Sequence, residues 1–215
     1  MKSILIFGDS NTWGYVPGGN GQRFDHNDRW PGVLRRELGA DYQVIDEGLC
    51  GRTTTSDDLT EGDGRNGARM IKPLMLTHSP LDYVIIMLGT NDLKNRFGKS
   101  SMDIALGVSV LVKMIRSMPL EFFYKDQEPR IPEILVIVPP PIFETGPFKE
   151  YFVGGSEKSK SFSRTFSQIG SQHDFKVLDT AEIIQSSEID GIHLSKESHL
   201  ILGKAVAEYI KQDNQ

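Results

Sequence analysis

The stretch "SILIFGDSNT", residues 3–12, passes within one residue from an apolar run to a string of small polar side chains. Its first half is short and rich in β-branched residues, as expected of a strand covered on both faces, and Gly8 stops it. A strand that ends in Gly-Asp-Ser-Asn-Thr must turn sharply. Three uses of such a turn are open at this point. It can cradle a phosphate, it can let Ser10 or Thr12 cap the next helix, or it can hold a reactive serine.

Working outward, the same kind of run recurs as "YQVID" (42–46), "YVIIML" (83–88), "EILVIV" (133–138) and "FKVLD" (175–179). Helical patterns lie between these runs. "RWPGVLRRELG" closes at Gly39, and "NGARMIKPLMLTH" contains Pro73, which predicts a kink or two pieces. "SMDIALGVSVLVKMIRSM" is amphipathic and ends before Pro119, and "SEKSKSFSRTFSQIGSQH" carries Phe162, Phe166 and Ile169 on one stripe. "SKESHLILGKAVAEYIKQ" puts Leu200, Ile201, Val206 and Ile210 toward a core, with Ser195 as N-cap. Such alternation predicts a three-layer α/β architecture with a mainly parallel sheet, built as one domain over residues 1–215. Ligands of such sheets sit at the carboxyl ends of the strands.

Composition narrows the function. The 215 residues carry a formal charge of -5, so there is no basic footprint for nucleic acid or an anionic membrane surface. Cys50 is the single cysteine, which rules out an intrachain disulfide. The apolar run of "MKSILIFGDS" is too short for a signal peptide, and no stretch approaches transmembrane length. A soluble, cytoplasmic protein is the expectation.

The polar signals fall where the predicted strands end: Gly8-Asp9-Ser10, "EGLCGRTT", "GTND" (89–92) and, late in the chain, "DGIHLS". A serine hydroxyl needs a base near neutral pKa, which a histidine supplies, and the imidazole needs an acceptor to fix its tautomer. Asp190 precedes His193 by three residues and can provide that acceptor across a turn. His26, His78, His173 and His199 have no comparable aspartate and read as structural or solvated. An ester's tetrahedral intermediate also needs donors. Asn91 can offer its amide, Gly51 a closely approaching backbone N–H, and Ser10 its own N–H. Each feature has a plain alternative: a helix cap, a surface histidine, an ordinary Gly-Asn-Asp turn. A flavin- or phosphate-binding module is the rival from another class, but no basic residue lies in the first loop and "GTND" and "DGIH" would be left without a role. No compact metal-ligand motif appears, so neither a metal nor a cofactor is expected.

With these four blocks in order, the chain resembles the SGNH hydrolases, the GDSL-type lipases and esterases: "FGDSNT", "GLCGRTT", "GTND" and "DGIH" match the serine, glycine, asparagine and Asp-x-x-His blocks. The resemblance implies Ser10 as nucleophile, His193 as general base and acid, Asp190 as its orienter, and Ser10, Gly51 and Asn91 as the oxyanion hole. It also implies a flavodoxin-like sheet of order 2-1-3-4-5. "DRWPGVL", "VIDEGLCGRTT", "DYVIIMLGTNDLK" and "MDIALGVSVLV" are similar to the bacterial arylesterase and acyltransferase branch. That similarity implies short-chain or aryl esters, acyl transfer to alcohols and a homo-oligomer. Two departures stand out. The leucine usual after the serine is Asn11, and Cys50 directly precedes the oxyanion glycine, where it reads as a small buried filler. The expected substrate pocket comprises Asn11, Trp13, Thr90, Phe148 and Ile192, with Tyr15, Phe143 and Phe152 as further aromatic candidates.

Overall fold

β1 (Lys2–Gly8) lies inside a five-stranded parallel sheet of order β2-β1-β3-β4-β5. Its partners are β2 (Tyr42–Gly48), β3 (Tyr83–Met87), β4 (Glu133–Val138) and β5 (Lys176–Asp179). The computed structural model describes residues 1–118 and 131–213. This is the flavodoxin-like order that the resemblance implied. All strands point the same way, so Gly8, Gly48 and Met87 end side by side and every following loop opens on one edge of the sheet.

Alternation along each strand divides the core into two layers, because successive side chains leave a strand on opposite faces. Leu5 and Phe7 point to one face, with Val84, Ile86, Val136 and Val138. That face is covered by α3 (Gly67–His78), α4 (Ser101–Arg116) and α6 (Phe162–His173) through Ile71, Ile104, Val108 and Phe166. Ile4, Ile6, Ile85 and Ile137 point to the other, where α2 (Trp30–Leu38) and α7 (Lys196–Asp213) lay Trp30, Leu34, Leu202 and Val206 on them. Each such side chain contributes roughly 1.5–3 kcal/mol on burial, which makes the sheet a rigid base for its loops.

Three helices differ from the sequence expectation. α3 runs as one element through Pro73 and not as two pieces; Pro73 lies on the exposed face, so the carbonyl that loses its helical donor is open to water. The "SEKSKSFSRTFSQIGSQH" segment divides into α5 (Gly155–Ser159) and α6. Ser159 is the reason: its Oγ donates to Ser156 O and accepts from Ile142 N, tying the end of α5 to the loop after β4. In α7 the buried stripe is shifted: Leu200 and Ile201 are each 39 % exposed, while His199, Leu202, Val206 and Ile210 face inward. Ser195 caps that helix as expected, accepting from Ser198 N at 3.1 Å. α4 ends at Arg116, and Pro119 lies outside the described residues. Among the described residues no helix is long and apolar enough to cross a membrane.

Candidate active site

α1 (Ser10–Trp13) is a single turn that begins directly where β1 ends. Its N-terminus is capped by Asp9, whose Oδ1 accepts from Asn11 N at 2.9 Å. Ser10 is therefore not the cap. Its hydroxyl is free to leave the helix, and its Oγ stands 3.0 Å from His193 Nε2. His193 Nδ1 stands 2.8 Å from Asp190 Oδ2.

The histidine is held by a turn rather than by a regular element. Asp190 Oδ1 accepts from Ile192 N at 3.2 Å and His193 N at 3.0 Å, and Oδ2 also accepts from Gly18 N at 3.2 Å. Gly191 between them has φ +81°, and a Cβ there would lie 2.0 Å from Phe143 O, so only glycine fits the turn. Burial pushes the Asp190 carboxyl up, but the hydrogen bonds and charge of His193 and the Ile192 N–H outweigh it and hold the pKa below the usual carboxylate value. The imidazole is fixed from both sides, stacked on Tyr15 (centroids 4.2 Å apart, planes at 20°) and met edge-on by Phe148 at 5.7 Å.

Asn11 has a different place from the one expected. It is 1 % exposed and lies outside the cavity wall, its amide spanning two loops: Nδ2 donates to Ile192 O at 3.0 Å and Oδ1 accepts from Leu194 N at 2.9 Å. It thus locks the serine turn to the histidine turn, a contact a leucine could not make. Trp13 also lies outside the cavity, with the Arg23 guanidinium 4.7 Å over its ring. Thr90, Phe148 and Ile192 do line the cavity, and Tyr15 and Phe152 with them, whereas Phe143 does not.

The cavity holds about 290 Å³ in front of Ser10 and His193. Gly51 and Asn91 line it as well. Asn91 Nδ2 donates to Arg52 O at 3.1 Å, and its second hydrogen faces Asp9 Oδ2 at a long 3.4 Å. The N–H groups of Ser10 and Gly51 have no acceptor among the described residues. Below them the asparagine loop is bolted to the glycine loop by Asp92, wholly buried, which accepts from Thr54 N at 2.8 Å and Thr54 Oγ1 at 2.7 Å and pairs with Lys99 at 2.8 Å. Cys50 is half-buried and lines the cavity instead of filling the core, and burial pushes its thiol up to about 11.

Glu61 and Lys94, which no sequence signal singled out, also line the cavity, as does Tyr151. Lys94 Nζ contacts Glu61 Oε1 and lies 3.5 Å from Asp58 Oδ2, while Arg96 Nη2 meets the same two carboxylates at 2.9 and 2.5 Å. Burial raises Asp58, but the hydrogen bonds from Arg96 and Thr60 and the Lys94 charge bring it down to about 2. Of the other histidines, His78 finds a carboxylate in Glu47 at 2.8 Å. His199 is buried against Trp30 N, and burial brings it down to about 3, so it stays neutral.

Asp9 has a measurable consequence. Burial raises its carboxyl from 3.8 to about 6, against the lowering effect of Asn11 N–H, His193 and Arg52. The folded chain therefore binds the extra proton between these two values, and stability from this group, present below pH 3.8, is lost as pH rises through about 6. We expect the unfolding free energy of wild type minus that of Asp9→Asn to fall by about 3 kcal/mol between pH 3.5 and pH 7. Urea titrations at the two pH values check this, and an unchanged difference would contradict it.

The model of the GDSL-like Lipase/Acylhydrolase family matches residues 6–201. No curated protein matches the chain. Among solved structures, the aryl esterase of M. smegmatis is 41% identical with a TM-score of 0.90, covering 99% of this chain and 99% of that one. A carbohydrate acetylesterase family member from Sinorhizobium meliloti is 36% identical with a TM-score of 0.91, covering 99% of this chain and 98% of that one.

Proposed function

The chain belongs to the GDSL-like lipase/acylhydrolase family, and from that premise we propose a serine esterase that hydrolyses short-chain and aryl carboxylic esters through a covalent acyl-enzyme. One observation carries the reading: Ser10 Oγ, His193 Nε2 and Asp190 Oδ2 form an unbroken relay of 3.0 and 2.8 Å contacts at the wall of a small cavity.

Ser10 Oγ attacks the ester carbonyl as His193 Nε2 takes its proton, and Asp190 stabilises the imidazolium that forms. The carbonyl π pair moves to oxygen. That oxyanion takes hydrogen bonds from the Ser10 and Gly51 N–H groups and from the Asn91 hydrogen that Asp9 holds only weakly. Collapse of the intermediate breaks the bond to the leaving alcohol or phenol, which departs with the proton from His193. Water repeats the cycle in reverse roles and frees the acid. An alcohol in place of water gives acyl transfer.

The phosphate-binding alternative fits the turn poorly. Asp9 already caps α1 with a carboxylate, so a phosphate would meet a negative charge where it needs donors. Acetyl esters of sugars are the second reading within the esterases, carried by the similarity to the S. meliloti protein.

The cavity volume predicts the acyl range. For p-nitrophenyl esters, kcat/KM is expected to be highest for acetate or butyrate and to drop for octanoate. Asn91→Ala should lower kcat by about 10²–10³ with KM little changed, since the oxyanion exists only after attack. Full activity in Asn91→Ala, or a preference for octanoate, would count against the proposal.

A further inference from the structure

The two sides of the cavity are chemically unlike. Around His193 the wall is apolar, made by Tyr15, Phe148 and Ile192. The leaving oxygen must reach His193 Nε2 to be protonated, so this side receives the alcohol or phenol. The acyl chain then turns away from His193, toward Glu61, which lies against Gly51, and its partner Lys94.

Among the described residues Glu61 uses only one of its oxygens. Oε1 contacts Lys94 and Arg96, while Oε2 has no donor among the described residues and lies where a Cβ on Gly51 would be 2.2 Å away. Lys94 is 5% exposed; its Nζ donates to Glu61 Oε1 and lies 3.5 Å from Asp58 Oδ2. An ammonium has three N–H groups, so at least one remains for a ligand. The pair thus offers one acceptor and one donor at the acyl side of the cavity. A carboxylate substituent would be repelled by Glu61 and an ammonium by Lys94. A hydroxyl, which donates to the first and accepts from the second, suits both.

We propose that Glu61 and Lys94 form a polar acyl subsite that reads a hydroxyl on the acyl chain, so that hydroxy-acyl esters are the preferred substrates. The proposal rests on the serine-esterase reading above. The remaining apolar wall selects the alcohol portion by shape alone. A site built to hydrogen-bond a hydroxyl discriminates against the analogue that lacks it, because its own polar groups are then left unpaired.

The test compares methyl butyrate with methyl 3-hydroxybutyrate, and methyl propionate with methyl 3-hydroxypropionate, by pH-stat. For the wild type, kcat/KM of the hydroxylated ester should exceed that of its partner by at least about tenfold, the effect of a single hydrogen bond to a charged group. In Glu61→Leu, and separately in Lys94→Met, that ratio should fall most of the way to one. The ratio is internal to each variant, so a change in overall activity does not affect it. If either variant fails to fold, the wild-type ratio and the other variant still decide. Wild type that hydrolyses methyl butyrate with a ratio near one would overturn the subsite alone. So would an unchanged ratio in Glu61→Leu. Wild type that turns over no ester at all would remove the esterase reading and the subsite with it.

Discussion

Ser10→Ala is expected to lower kcat for p-nitrophenyl acetate by about 10⁶-fold, with the residual rate coming from the oxyanion donors and binding. The fold should not suffer. Among the described residues the hydroxyl has one partner, His193 Nε2, and the helix cap is supplied by Asp9, so nothing in α1 depends on Oγ. A change in unfolding free energy below about 1 kcal/mol is expected. Stopped assays of the two proteins, with urea titration as control, check both halves. Activity within tenfold of wild type would show that the attacking group lies elsewhere.

Asp190→Asn should be the more instructive loss, at about 10⁴-fold in kcat. Oδ1 would keep its bonds from Ile192 N and His193 N, so the turn stays in place. The amide nitrogen would replace Oδ2 as the partner of His193 Nδ1, facing it with a donor where an acceptor stood. The imidazole must then carry its proton on Nε2, and it can no longer take one from Ser10. Because the folded Asp190 pKa lies below the ordinary value, its contribution to stability is present above that value and lost as pH falls through the depressed one. The wild type should therefore lose stability on acidification more steeply than Asp190→Asn. An unchanged kcat in the variant would remove the aspartate from the relay.

The blocks of the candidate site were legible in the sequence because each is local. Gly8-Asp9-Ser10 ends a strand, "GTND" ends another, and Asp190 and His193 share one turn, so chemistry and spacing appear together. The parallel α/β class followed from the alternation, but the order 2-1-3-4-5 came from family resemblance, since apolar runs do not say which strands are neighbours. The pocket was less legible for the same reason. Asn11, next to the nucleophile in sequence, turns away to bond Ile192 and Leu194 far along the chain. Glu61 and Lys94 meet only once the glycine loop folds over the asparagine loop. Neither is marked by any neighbour in sequence. Likewise Leu200 and Ile201 fit a helical stripe as well as Leu202 does, and only the position of α2 decides which residues of α7 are buried.

The central claim is that Ser10 forms the covalent bond to substrate. It is tested most directly by treating the protein at pH 7 with diethyl p-nitrophenyl phosphate and reading the intact mass and the modified peptide. The account predicts one diethylphosphoryl group per chain, on Ser10, with activity lost in step and no adduct on Ser10→Ala. Cys50, whose thiol is pushed up to about 11, should stay unmodified. A stoichiometric adduct on Cys50 or another residue that accounts for the loss of activity, or an adduct that still forms on Ser10→Ala, would contradict it.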